Sequence, residues 1–118
     1  TPFRSLTMNA TKNQYLDCIK ACQDCATACN QCHAACLAED DVKMMARCIA
    51  MDADCAALCE LAAGMMARGS AHAQAVCALC AKACHACAEE CAGHKAEHCQ
   101  ACAAACRECA KACEAMAA

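Results

Sequence analysis

The sequence predicts an all-α protein, an up-down-up-down antiparallel four-helix bundle with a cysteine-lined core. Three observations predict it. The 19 cysteines fall mostly at steps of three and four residues, the spacing that stacks side chains on one helix face. Helix breakers are scarce, with three Gly and one Pro in 118 residues, which also argues against a loop-rich disulfide miniprotein. Of the 61% apolar residues, 34 are Ala, 19 Cys and 7 Met, leaving twelve Leu, Ile, Val, Phe or Tyr. Branched and aromatic side chains are too few to fill an interior of this size, so sulfur and alanine must fill it.

Helix 1 is expected to open at Thr11-Lys12-Asn13-Gln14, which has the form of a capping box, and to run to about Ala38. Its stripe is Cys18, Cys22, Cys25, Cys29, Cys32 and Cys36, over a rise of roughly 27 Å. Residues 1–10 lack periodicity and read as an extended arm, with 11–118 as a single bundle domain. Glu39, Asp40 and Asp41 place acid at the start of helix 2, which carries Cys48, Cys55 and Cys59. Arg68-Gly69-Ser70 reads as a basic last turn, a C′ glycine and a new N-cap. Helix 3 then carries Cys77, Cys80, Cys84, Cys87 and Cys91, and ends at Gly93. Helix 4 runs from about Lys95 to Ala117 with Cys99, Cys102, Cys106, Cys109 and Cys113. Connections this short force antiparallel neighbours.

Composition also excludes partners. A formal charge of −3 with dispersed basic residues argues against nucleic acid. The uncharged apolar stretches fall well short of the roughly 20 residues of a membrane span. No Gly-rich phosphate loop or Ser, His and Asp grouping is present, and the chain reads as a non-enzyme.

A lone buried cysteine is usually a small hydrophobe, but sixteen of these lie in three uninterrupted 3/4 blocks. Disulfides fit poorly, because stacked cysteines of one helix point in parallel and the count is odd; cross-helix bridges stay open. Soft thiolates select Cu(I), Zn(II) or iron–sulfur clusters. Zinc takes isolated quartets of ligands, and ferredoxin-type clusters need a wrapping loop that is missing here. Cu(I) accepts two or three sulfurs and shares them, so a continuous stripe becomes a series of sites. One Cu(I) replaces one proton, so about one ion per thiolate leaves a buried lumen neutral. Multiple Cu(I) ions, roughly 15–20 per chain, follow. A general zinc or heavy-metal buffer and a thiol or iron–sulfur redox carrier remain the alternatives.

These repeated C-x-x-C and C-x-x-x-C helical stripes, over residues 11–117, resemble the bacterial four-helix-bundle copper storage proteins. The cysteine count is similar to that of their cytosolic branch. The resemblance implies Cu(I) storage on the thiolates of a preformed bundle, a cytoplasmic location and assembly as a homotetramer. It does not identify the copper donor or acceptor. The thin stripe of helix 2 departs from the pattern of the other helices.

Continued through helix 2, the register reads Met45, Cys48, Asp52, Cys55, Cys59, Ala62, Met66. Either Asp52 stands in the lumen, where it must touch metal, thiol or water, or the register slips and Met51 turns inward. Topology gathers Cys36, Met44, Met45, Cys48, Cys91, His94, His98 and Cys99 at one end. The other end receives Tyr15, Cys18, Leu61, Met65, Met66, Val76, Cys77, Cys113 and Met116. The first end reads as the copper mouth, since thioether and neutral imidazole bind Cu(I) less tightly than thiolate; the second reads as an apolar plug. Candidate metal ligands are thus all nineteen cysteines with Asp52, Met45, His94 and His98.

Overall fold

The computed structural model describes the backbone of residues 2–118 and the side chains of residues 15–118. Four helices follow one another: α1 (Pro2–Leu37), α2 (Ala46–Ala67), α3 (Ala73–Ala92) and α4 (Glu97–Ala117). A short 3-10 turn, Val42–Met45, precedes α2. Each helix packs on its neighbours in chain order and α1 closes against α4, while the diagonal pairs stay apart. This is the expected square bundle.

Two boundaries differ from the sequence reading. The backbone of α1 is helical from Pro2, so neither an extended arm nor a helix start at Thr11 is seen. Proline suits a first helical position, and no Gly or Pro between 3 and 37 stops the helix once begun. Side-chain contacts of the Thr11–Gln14 motif lie outside the described residues. The acidic run Glu39–Asp41 lies in a turn, with the 3-10 turn rather than α2 following it.

The Gly69 ending of α2 matches its sequence signal, whereas Ser70, expected as the N-cap of helix 3, stands two residues before the observed N-cap His72. Gly69 adopts φ 67°, and its N–H donates to Met66 O at 3.1 Å while Ser70 N–H donates to Met65 O at 2.9 Å. That pair of bonds is the Schellman ending, which needs a left-handed residue at C′. The Ser70 hydroxyl then accepts from His72 N–H at 3.0 Å, and α3 begins at Ala73.

Every cysteine is buried, at most 2% exposed, and Ala62, Ala103 and Ala110 are fully enclosed beside them. Small alanines let the helices approach closely, which brings the thiols of facing helices into contact. No described helix is long and apolar enough to cross a membrane.

Candidate metal centre

The 3/4 periodicity of each helix turns one sulfur stripe inward, and the square packing presses four such stripes together. All nineteen cysteines are free thiols. Contacts run the length of the bundle: Cys22 to Cys113 at 3.6 Å and to Cys109 at 3.7 Å, Cys59 to Cys80 at 3.6 Å, Cys55 to Cys84 at 3.6 Å. They continue with Cys25 and Cys29 each 3.7 Å from Cys106, Cys29 to Cys102 at 3.7 Å, and Cys48 to Cys91 at 3.4 Å. Cys18 reaches Cys113 at 3.8 Å, and Cys87 reaches Cys91 at 3.9 Å.

Metal-sized groups overlap along this column. Cys22, Cys80, Cys109 and Cys113 form one quartet, and Cys25, Cys55, Cys59 and Cys84 another. Cys25, Cys29, Cys55 and Cys106 form a third, and Cys29, Cys87, Cys102 and Cys106 a fourth. Cys25, Cys29, Cys55 and Cys106 therefore each belong to two groups. Sites that share ligands suit bridging thiolates and ill suit separate tetrahedral ions.

Asp52 faces the lumen, fully buried, and Met51 is only half-buried. The whole expected α2 register, from Met45 to Met66, is inside. One Asp52 oxygen accepts from the thiols of Cys87 at 3.2 Å, Cys102 at 3.3 Å and Cys91 at 3.5 Å; the other faces Cys48 at 3.8 Å. Burial pushes its pKa up to about 6, opposed in part by the thiol donors.

Burial also raises the thiols, Cys77 to about 12 and Cys99 to about 11, with Cys32 and Cys48 shifted upward from the same cause. At these four positions the neutral S–H form is favoured near neutral pH, and each ion that binds there must displace protons.

The two mouth histidines part company. His98 Nδ1 lies 3.5 Å from both Cys32 and Cys99 and 3.9 Å from Cys36, completing a mixed group with those three thiols. His94 instead places Nε2 2.7 Å from Glu90, which also holds Arg47 at 3.1 Å. Gly93 ends α3, so His94 folds back over the last helical turn toward Glu90 rather than into the lumen. Met45 is buried in the core at this end, whereas Met44 is 67% exposed. At the far end Met66 and Val76 are buried, and Tyr15, Met65 and Met116 are partly buried against the core, but Leu61 faces solvent. Sequence reasoning missed Glu39, whose carboxylate lies 2.9 Å from His98 Nε2. Its only signal was topological, since the α1–α2 and α3–α4 connections share one end.

Known proteins share this fold. The chain is similar to the Cu(I)-bound copper storage protein BsCsp3, at 46% identity and TM-score 0.86, over 89% of this chain and 99% of that one. It is similar to the apo form of copper storage protein 3 from Bacillus subtilis, at 46% identity and TM-score 0.80, over 86% and 97%. A cytosolic copper storage protein from Streptomyces lividans, carrying five coppers, matches at 38% identity and TM-score 0.88, over 92% and 96%. No curated protein sequence matches it. The family model described as copper storage protein covers residues 11–118. An enclosed column of nineteen thiols, solved relatives that superpose over nearly their whole length and this family match converge, and the chain belongs to the copper storage protein family.

Proposed function

We propose that this protein stores copper, holding many Cu(I) ions per chain on the thiolates of its core, with residues 11–118 as the storage unit. The observation that carries the reading is the overlap of the sulfur groups: four cysteines belong to two quartets each, so ligands are shared along a continuous column. Monovalent copper on such a column replaces protons one for one and leaves no buried charge. Divalent zinc at the same loading would leave a large positive excess.

The nineteen thiols are the ligand set, with Asp52, His98 and Met45 joining at the end where thiols meet imidazole. His94 would act from outside the column. Storage rather than catalysis fits a lumen lined by buried thiols in mutual contact. By likeness to the cytosolic Streptomyces protein we place this chain in the cytoplasm, and we expect a homotetramer.

The test is an anaerobic Cu(I) titration of the reduced protein with metal analysis and thiol counting. Uptake of roughly 15–20 ions per chain, without colour, is expected. Saturation at about four or five ions would instead mark separate tetrahedral sites and a zinc-like buffer. Coloured bands in the protein as isolated would mark an iron–sulfur carrier.

A further inference from the structure

Both histidines at the mouth are held by a carboxylate through Nε2, His98 by Glu39 at 2.9 Å and His94 by Glu90 at 2.7 Å. Only His98 turns its second nitrogen toward sulfur. We propose that Glu39 is a positioning residue for copper capture: it fixes the His98 ring so that the Nδ1 lone pair faces Cys32, Cys36 and Cys99. This rests on the copper storage reading above.

The argument is one of donors and acceptors. A carboxylate only accepts, so the hydrogen bond to Glu39 requires a proton on Nε2. The neutral ring then carries its lone pair on Nδ1, the atom 3.5 Å from two thiols and 3.9 Å from a third. Without the carboxylate, the ring can rotate about its Cβ–Cγ bond and turn a carbon edge to the sulfurs. Glu39 is itself well placed for this. Its backbone N–H donates to Cys36 O at 3.2 Å, so the residue that orients the imidazole is tied to the main chain of one of the cysteines that the imidazole faces. The Glu39 and His98 side chains are 40% and 25% exposed, so the pair adds little to folding stability. Its effect falls on orientation, as with carboxylates that hold metal-binding histidines elsewhere.

The experiment uses reduced, uniformly ¹⁵N-labelled protein and long-range ¹H–¹⁵N spectra of the His98 ring, first metal-free and then with chelated Cu(I) as donor. In the wild type a solvent-protected Nε2–H signal is expected, and the first ions should shift Nδ1. Glu39→Leu should lose the protected signal and require about tenfold more free copper for the Nδ1 shift. Glu39→Gln, whose side-chain carbonyl accepts the same hydrogen bond, should restore both. A Glu39→Leu protein whose Nδ1 responds at the wild-type copper level overturns the proposal, as does a Glu39→Gln protein no better than Glu39→Leu. Failure of the storage reading looks different: the wild type takes up no Cu(I), and the metal-free Nε2–H signal still decides whether Glu39 holds the ring.

Discussion

Asp52 shows how one lumenal residue sets a pH response. Its carboxyl is fully enclosed among thiols, and burial raises its pKa from 3.8 to about 6. A raised carboxyl means that the folded state holds its proton more tightly than the unfolded chain does. The stability it contributes is fully present below pH 4 and is lost as pH rises through 6. Two pKa units correspond to about 3 kcal/mol. In the metal-free protein, Asp52→Asn should therefore gain stability relative to wild type between pH 4 and pH 7, by up to about 3 kcal/mol, less whatever the amide N–H groups lose for want of acceptors. Denaturant unfolding of both proteins across that range reads the difference, and parallel curves would mean that Asp52 titrates as it does in water. The mouth gives a second prediction of this scale. Joint replacement His98→Leu and Met45→Leu should slow copper uptake from a chelated donor, whereas Met66→Leu in the opposite plug should not. Stopped-flow loading distinguishes the ends, and a slow Met66→Leu protein beside a normal double variant would reverse the direction of access.

Among the elements, the two connecting glycines look alike in sequence and differ in structure. Gly69 needs its left-handed φ of 67° to return two N–H groups to the last turn of α2. Gly93 caps α3 at φ −77°, which any residue adopts, and an added Cβ would meet only Glu90 O at 3.4 Å. Gly69→Ala should cost about 1–2 kcal/mol, and Gly93→Ala should gain about 0.4–1 kcal/mol by restricting the unfolded chain. Thermal unfolding of the reduced, metal-free protein checks both signs. The Gly69 ending was legible because capping is local chemistry, while the N-cap of α3 fell at His72 rather than Ser70. The start of α1 was misplaced because a capping motif inside a breaker-free stretch can be overrun by a helix that begins earlier.

For the whole molecule, the enclosed thiols imply a stoichiometry of protons as well as of copper. Enclosure disfavours the charged thiolate, and burial holds Cys77 near 12 and Cys99 near 11, so these two enter the metal-free state as S–H. Loading at pH 7 should release about one proton per Cu(I) bound, up to the thiol count. Titration in weak buffer with a pH indicator measures it. Release well below one proton per ion would show a lumen already ionised, which nineteen packed thiols should not tolerate. The fold supplies this environment from little besides alanine and sulfur. Closely packed helices exclude water without large side chains, and most of the described branched residues lie on outer faces, such as Leu16, Leu37, Val42, Leu61 and Leu79.

The sequence alone determined the helical stripes and the inward face of every cysteine, because periodicity reports directly which face each residue occupies. The preference for Cu(I) followed from the same stripes through charge neutrality. Tertiary structure decided what periodicity leaves open. It placed Asp52 rather than Met51 inside, joined His98 to the thiols while holding His94 on Glu90, left Met44 and Leu61 in solvent, and brought Glu39 to a histidine 59 residues away. Each of these depends on how a helix is rotated about its axis, or on where a connection sets its side chains. Both are fixed by contact with neighbouring helices, and spacing along the chain carries neither.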